Sequence, residues 1–370
     1  MKNLQIFLAI TLLFFSITSI QAQEIKPGEI KQVMKKVADW QIKHYNEIYS
    51  REKPHHQLDW TNGALYVGMV KWAEMAGDDS YYEWMKKIGQ DNSWMLHLRK
   101  YHADDHTVGQ MYIELYRKYG DEKMIEPTKQ QFEFIMYHPS KSVLNFGTPY
   151  HHDRWNWCDA LFMSPPVWAK LYKLTGEQKY LDFMMEEYKV TTDFLFDKKE
   201  NLYYRDETFM GKLDHGTKIF WSRGNGWVFA GLANILTELN PQSKEYKYFL
   251  KIYKKMAQKL LEIQTPEGYW AMSLLGQEFY PTPETSGSSF FISGLAWGIN
   301  NGILDKDTYL PAVVKGWNAM VSYVTEDGML GYVQPIGAAP GNARPDKTEV
   351  YGTGAFLSAG SEVYKLFGGK

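Results

Sequence analysis

Hydrophobic and polar positions along the chain sort into two kinds of helix-period segment. One set is apolar nearly all round and rich in Gly, Ala and Ser near its start: 63–77, 107–120, 160–176, 226–240, 293–304 and 351–368. Apolar residues recurring every three to four positions predict helices, and a closing Gly, as at Gly77, Gly120 and Gly176, is a common stop. The second set, 28–48, 80–98, 122–137, 177–197, 244–264 and 307–324, carries an apolar stripe and a polar face, as water-facing helices do. Two interleaved sets of six predict six helical hairpins, one set inside the other: an all-α (α/α)6 barrel. The alternative is an open solenoid, which needs terminal repeats with a polar outer face. The chain shows no such caps. No linker or low-complexity run interrupts 23–370, so one domain is expected there.

The first residues form a separate pattern. Lys2 precedes an apolar run from Leu4 to Phe15, then small and polar residues up to Ala22. This predicts an export signal cleaved after Ala22. An uncleaved anchor is the alternative, but the run is short for a membrane span. The expected location is therefore the periplasm or the exterior, with no span after cleavage. A lone Cys158 excludes an intramolecular disulfide. The formal net charge of −2 leaves no basic field for nucleic acid.

Aromatic content changes the picture further. With 13 Trp and 26 Tyr, either the helical core is unusually aromatic or some flat faces are kept for sugar rings. The connections leading into the inner helices are long and hold unusual residues: 55–63, 99–110, 148–160, 212–227, 268–287 and 328–354. In a toroid these open on one face, so side chains distant in sequence converge on one mouth.

Three aspartates stand at or beside inner-helix starts. Asp59 reads as a cap or loop anchor. In HADDHTVGQ, Asp104 could cap and Asp105 face the pocket, or the reverse. Asp159 lies in WNWCDALFMSPP, between indoles and an apolar run. Burial raises a carboxyl pKa, which suits a general acid. In FWSRGNGW, Arg223 could grip a carboxylate between Trp221 and Trp227, or close the barrel through backbone carbonyls. Trp60, Trp157, His152 and His215 are further candidates for substrate contact. The loop histidines do not take a helix-borne metal spacing, and there is no serine-hydrolase elbow, P-loop or dinucleotide fingerprint.

Taken together, WCDALFMSPPVWAKLYKLTG, FWSRGNGWV, ETSGSSFFISGLAWGIN and YGTGAFLSAGSEVYKL resemble the unsaturated rhamnogalacturonyl hydrolases of glycoside hydrolase family 105 and the related unsaturated glucuronyl hydrolases of family 88. The resemblance spans essentially the whole chain after residue 22. It implies an (α/α)6 barrel acting on an oligosaccharide without cofactor or metal. It implies removal of a terminal 4,5-unsaturated uronic acid by hydration of the double bond, with galacturonyl-rhamnose from pectin as the expected substrate. It also implies Asp159 as the acid, Asp105 as the second catalytic aspartate with Asp104 next to it, and Trp221, Arg223 and Trp227 as sugar and carboxylate contacts. An unsaturated glucuronyl hydrolase acting on other lyase products, an ordinary hydrolase or a sugar epimerase working through His pairs, and a non-catalytic glycan-binding protein are the competing functions. Oligomeric state is not legible.

Overall fold

The computed structural model describes residues 25–47 and 49–369, so the expected signal at 1–22 lies outside the described residues. Fourteen α-helices follow in order: α1 (Pro27–Lys43), α2 (Trp60–Ala76), α3 (Ser80–Asp91), α4 (Ala103–His106), α5 (Gly109–Tyr119), α6 (Glu126–Tyr137), α7 (Ala160–Met163), α8 (Pro165–Thr175), α9 (Gln178–Leu195), α10 (Ser222–Glu238), α11 (Lys244–Glu262), α12 (Thr285–Asn300), α13 (Lys306–Ser322) and α14 (Val350–Leu366). Two short antiparallel hairpins, β1–β2 (Phe196–Asp197 with Leu202–Tyr203) and β3–β4 (Leu213–Asp214 with Thr217–Lys218), sit in the connection from α9 to α10.

The inner helices α2, α5, α8, α10, α12 and α14 each pack on the next, and α14 returns to α2. That contact closes the ring and rules out an open solenoid. Helices α1, α3, α9, α11 and α13 pack around the outside.

Closure depends on small residues. A Cβ on Gly68 would fall 2.1 Å from the Gly354 carbonyl oxygen, and one on Gly354 would fall 2.2 Å from that of Ala64. Helices α2 and α14 therefore touch backbone to backbone, which only Gly permits. The inner helices are buried on both faces, which is why their sequences lack a polar stripe.

Two boundaries differ from the expectation. Helix α12 begins at Thr285 rather than near 293, because Glu284 caps it, accepting from Ser286 N (3.1 Å) and Gly287 N (2.7 Å). The TSGSS run is polar but fully buried, which hydrophobic periodicity does not report. Residues 160–176 split into α7 and α8 at Ser164, since Pro165 cannot donate to the preceding turn.

The aromatic excess is mostly core. All tryptophans except Trp60 and Trp84 are buried. The substitution Gly354→Val should destabilise the chain by about 1–3 kcal/mol, as overpacking does. A urea titration reads this; a midpoint equal to that of wild type would contradict the backbone contact.

Candidate active site

The inner helices enter the ring from one end, and that end carries the long connections. Helix α4 presents two consecutive carboxylates, and residues about 100° apart on a helix cannot both face one cavity. Asp105 points inward to structure. Its side chain is fully buried and accepts from Arg99 N (2.7 Å), Arg99 Nη2 (2.5 Å), Arg99 Nε (3.1 Å) and the His97 ring (3.1 Å). Asp104 keeps 17% of its side chain exposed. This reverses the assignment of Asp105 to the pocket: its carboxylate is saturated by four donors, and Asp104 is the available group.

Asp159 stands at the N-cap of α7 with no side-chain bond to the helix, so capping does not explain it. Its side chain is 12% exposed, with Arg205 Nε 3.9 Å from Oδ2. The neighbouring Cys158 thiol donates to the same oxygen at 3.4 Å. Gly224 leaves room for that sulfur, since a Cβ there would lie 2.9 Å from it.

Burial acts on both carboxyls, and the charge of Asp159 also reaches Asp104. Burial pushes Asp104 up to about 7, with the negative charges of Asp159 and Asp105 adding to the rise and Arg99 and Arg205 opposing it. Burial also raises Asp159, against the pull of Arg205 and Arg223. Each group keeps a small open face while packed on its other sides.

A wall of rings borders Asp104. His102 lies 4.9 Å from both His152 and Trp157, and His152 lies 4.7 Å from Trp157. Burial holds His102 down to about 2 and His152 down to about 4, so both are neutral at pH 7. His152 and Trp157 thus lie with His102 beside Asp104.

The FWSRGNGW residues behave otherwise. Arg223 is fully buried, and its guanidinium donates to the carbonyls of Gln334 (2.7 Å) and Pro335 (2.9 Å) while stacking on Trp221 and Tyr351. The expected carboxylate clamp is corrected: Arg223 closes the mouth by holding the 334–335 backbone. Trp221 is buried and donates to Gln334 Oε1 (2.8 Å), and Trp227 is fully buried against Phe162 and Phe290. Neither presents a sugar-stacking face. Trp60 does: it is half-buried, stacked on Tyr351 with ring centroids 5.2 Å apart. His215 sits on the turn of β3–β4 against Phe279, with contacts to that ring and to Asp214 rather than to either carboxyl. Asp59 accepts from His56 N (3.0 Å) and Arg51 (3.2 Å), holding its own loop.

Sequence reading missed Arg205. It lies just after β2, and Cys158 N donates to its carbonyl at 2.8 Å, which brings it beside Asp159. Its only signal was an Arg-Asp pair following the apolar LYY.

A separate cavity of about 450 Å³ opens where the inner helices end, lined by Lys71, Glu114, Arg117, Lys170, Glu238 and Glu362 among others. Lys170 bridges Glu114 and Glu238 there, and Arg117 also binds Glu238 at 2.8 Å. Lys170, Arg117, Glu114 and Glu238 thus pair with one another at the far end of the barrel from Asp159.

Residues 33–367 match Glycosyl Hydrolase Family 88. The chain is 39% identical over 352 residues to an unsaturated 3S-rhamnoglycuronyl hydrolase of Formosa agariphila, covering 92% of this chain and 91% of that protein. A protein of the same name from an Alteromonas strain is 36% identical over 351 residues, covering 90% of this chain and 85% of the relative. A solved family 88 glycosyl hydrolase from Bacteroides vulgatus superposes with a TM-score of 0.82 at 31% identity, covering 92% of this chain and 100% of the other.

The carboxyl pair generates a pH prediction. Asp104, raised to about 7, loses its proton as pH rises through that region. Turnover that needs that proton should fall as pH rises through this region, and fall again at acid pH once both groups are protonated. A pH profile of kcat/KM checks this; a flat profile from pH 5 to 9 would contradict it.

Proposed function

Because the chain belongs to Glycosyl Hydrolase Family 88, we propose that it removes the terminal 4,5-unsaturated uronic acid from lyase-generated oligosaccharides by hydrating the double bond. The observation that carries this reading is two buried carboxyls, Asp104 and Asp159, both raised by burial and each keeping a small open face.

The chemistry needs one proton and one water. Asp159 delivers a proton to C4, and positive charge develops at C5 and the ring oxygen. The remaining carboxylate of the pair stabilises that charge. It then accepts a proton from the water that attacks C5, so the pair regains the proton it gave. The product is a hemiketal at C5, which opens to a ketone and releases the neighbouring sugar. Burial serves this cycle directly, because a carboxyl with an ordinary pKa would hold no proton at neutral pH.

Both named relatives are unsaturated 3S-rhamnoglycuronyl hydrolases. Their names favour an unsaturated glycuronyl residue on a 3-sulfated rhamnose over the galacturonyl-rhamnose of pectin. The protein is also proposed to be exported, the leader being 1–22, which lies outside the described residues. Among the described residues no helix is long and apolar enough to cross a membrane.

The conjugated double bond absorbs in the ultraviolet, so its loss reports the reaction continuously. Wild type should bleach the unsaturated rhamnoglycuronyl disaccharide. Asp159→Asn should be slower by about 10²–10⁴-fold or more with an unchanged circular dichroism spectrum. A variant of near wild-type rate would remove Asp159 from the chemistry, and cleavage of the saturated disaccharide at the same rate would refute hydration.

A further inference from the structure

Two arginines flank the carboxyl pair, and both are held in the same way. Arg99 donates through Nε and Nη2 to Asp105, whose side chain is fully buried. Its own side chain is 53% exposed, and among the described residues Nη1 has no hydrogen-bond partner. Arg205 donates through Nη1 to Asp206 at 2.6 Å, and the Asp206 side chain is 2% exposed. Asp206 is itself fixed by Thr208 N (2.9 Å) and Thr208 Oγ1 (2.6 Å). Arg205 also lies over the Phe146 ring, 5.1 Å from its centroid.

Each arginine therefore spends part of its fork on a buried aspartate and keeps the rest. For Arg205 the unused part includes Nε, a buried donor with no partner among the described residues, 3.9 Å from the nearest Asp159 oxygen. A buried unpaired donor is costly, and at that distance Asp159 does not satisfy it. An oxyanion of the substrate seated beside Asp159 would. Arg223, the other cation near Asp159, has committed two donors to carbonyls. Asp104 feels both Arg99 and Arg205, while Asp159 feels Arg205 but not prominently Arg99. Arg205 thus belongs to the Asp159 end and Arg99 to the far side of Asp104.

We propose that Arg205 and Arg99 form a clamp for two anions, Arg205 binding the uronate carboxylate and Arg99 the sulfate of the adjoining sugar. This rests on the reading of the substrate as an unsaturated uronyl group on a sulfated neighbour. A planar fork pinned on one side presents its remaining N–H groups at a fixed angle, which suits carboxylate and sulfate oxygens. Asp105 and Asp206 act as positioning residues that hold the forks.

The test uses the full-length enzyme and three substrates: the sulfated unsaturated disaccharide, its desulfated form and its uronate methyl ester. Wild type should prefer the sulfated over the desulfated form by about ten-fold or more in kcat/KM, as a charge-assisted contact supplies. Arg99→Gln should bring that ratio near one, whatever its absolute loss. The double variant Arg99→Gln/Asp105→Asn, which leaves no unpaired buried charge, should show the same ratio and keeps the test open if the single variant folds poorly. Arg205→Gln should lose about ten-fold or more on the acid but little further on the methyl ester, where the contact is already gone.

A sulfated-to-desulfated ratio that survives Arg99→Gln overturns the assignment of Arg99. Equal losses on acid and ester in Arg205→Gln overturn that of Arg205. A wild type that bleaches both disaccharides without preference overturns the sulfate half while hydration stands. A wild type that bleaches neither refutes the functional reading and the clamp with it.

Discussion

The structure depends on six inner helices packing against one another in a closed ring while being covered from outside. A helix buried on both faces has no polar side to give to water, so its sequence must be apolar or small throughout. Where α2 meets α14, side chains are excluded and glycines bring the backbones together. Every inner helix starts at the same end of the ring. Six positive helix ends therefore face the mouth, and the long connections that cross it cannot reach water-filled space on their inner side. Carboxylates placed there are short of solvent as a direct result of how the ring is built.

That shortage separates two uses of the same side chain. Asp105 and Asp206 are fully buried but saturated with donors, and they serve as fixed anchors for arginines. Asp104 and Asp159 keep an open face and lack such donors, so burial favours their protonated forms. The same division applies to the cations. Arg223 is absorbed by backbone carbonyls and closes the 334–335 segment over the barrel, while Arg205 keeps a donor unused. Function at this mouth belongs to groups the packing leaves incompletely satisfied.

The repeat of apolar and amphipathic segments made the barrel legible in sequence, and the indoles around Asp159 marked it as more than a cap. What the sequence could not resolve are matters of rotation and partnership. Asp104 and Asp105 are neighbours in sequence and opposite in role, because one helical step turns one of them away. Arg223 has the same neighbours in sequence whether it binds a ligand or a carbonyl; only the position of Gln334 and Pro335, more than a hundred residues away, decides. The start of α12 was hidden because its first turns are polar but buried, with Ser286 bonded to Glu284 and Ser288 to the Trp270 carbonyl, rather than marked by apolar spacing. Most tryptophans filled the core, so aromatic content alone overstated the sugar-binding surface.

The central claim is that the Asp104 carboxyl holds a proton near neutral pH because the barrel mouth desolvates it and the charge of Asp159 adds to the rise. Carbon-13 NMR of aspartate-labelled enzyme, with Asp104 assigned through the Asp104→Asn spectrum, measures this directly. The account predicts that the Asp104 carboxyl titrates near about 7 and that its midpoint falls in Asp159→Asn, where the neighbouring charge is gone. A midpoint near the ordinary aspartate value of about 4, unmoved by that substitution, would contradict it.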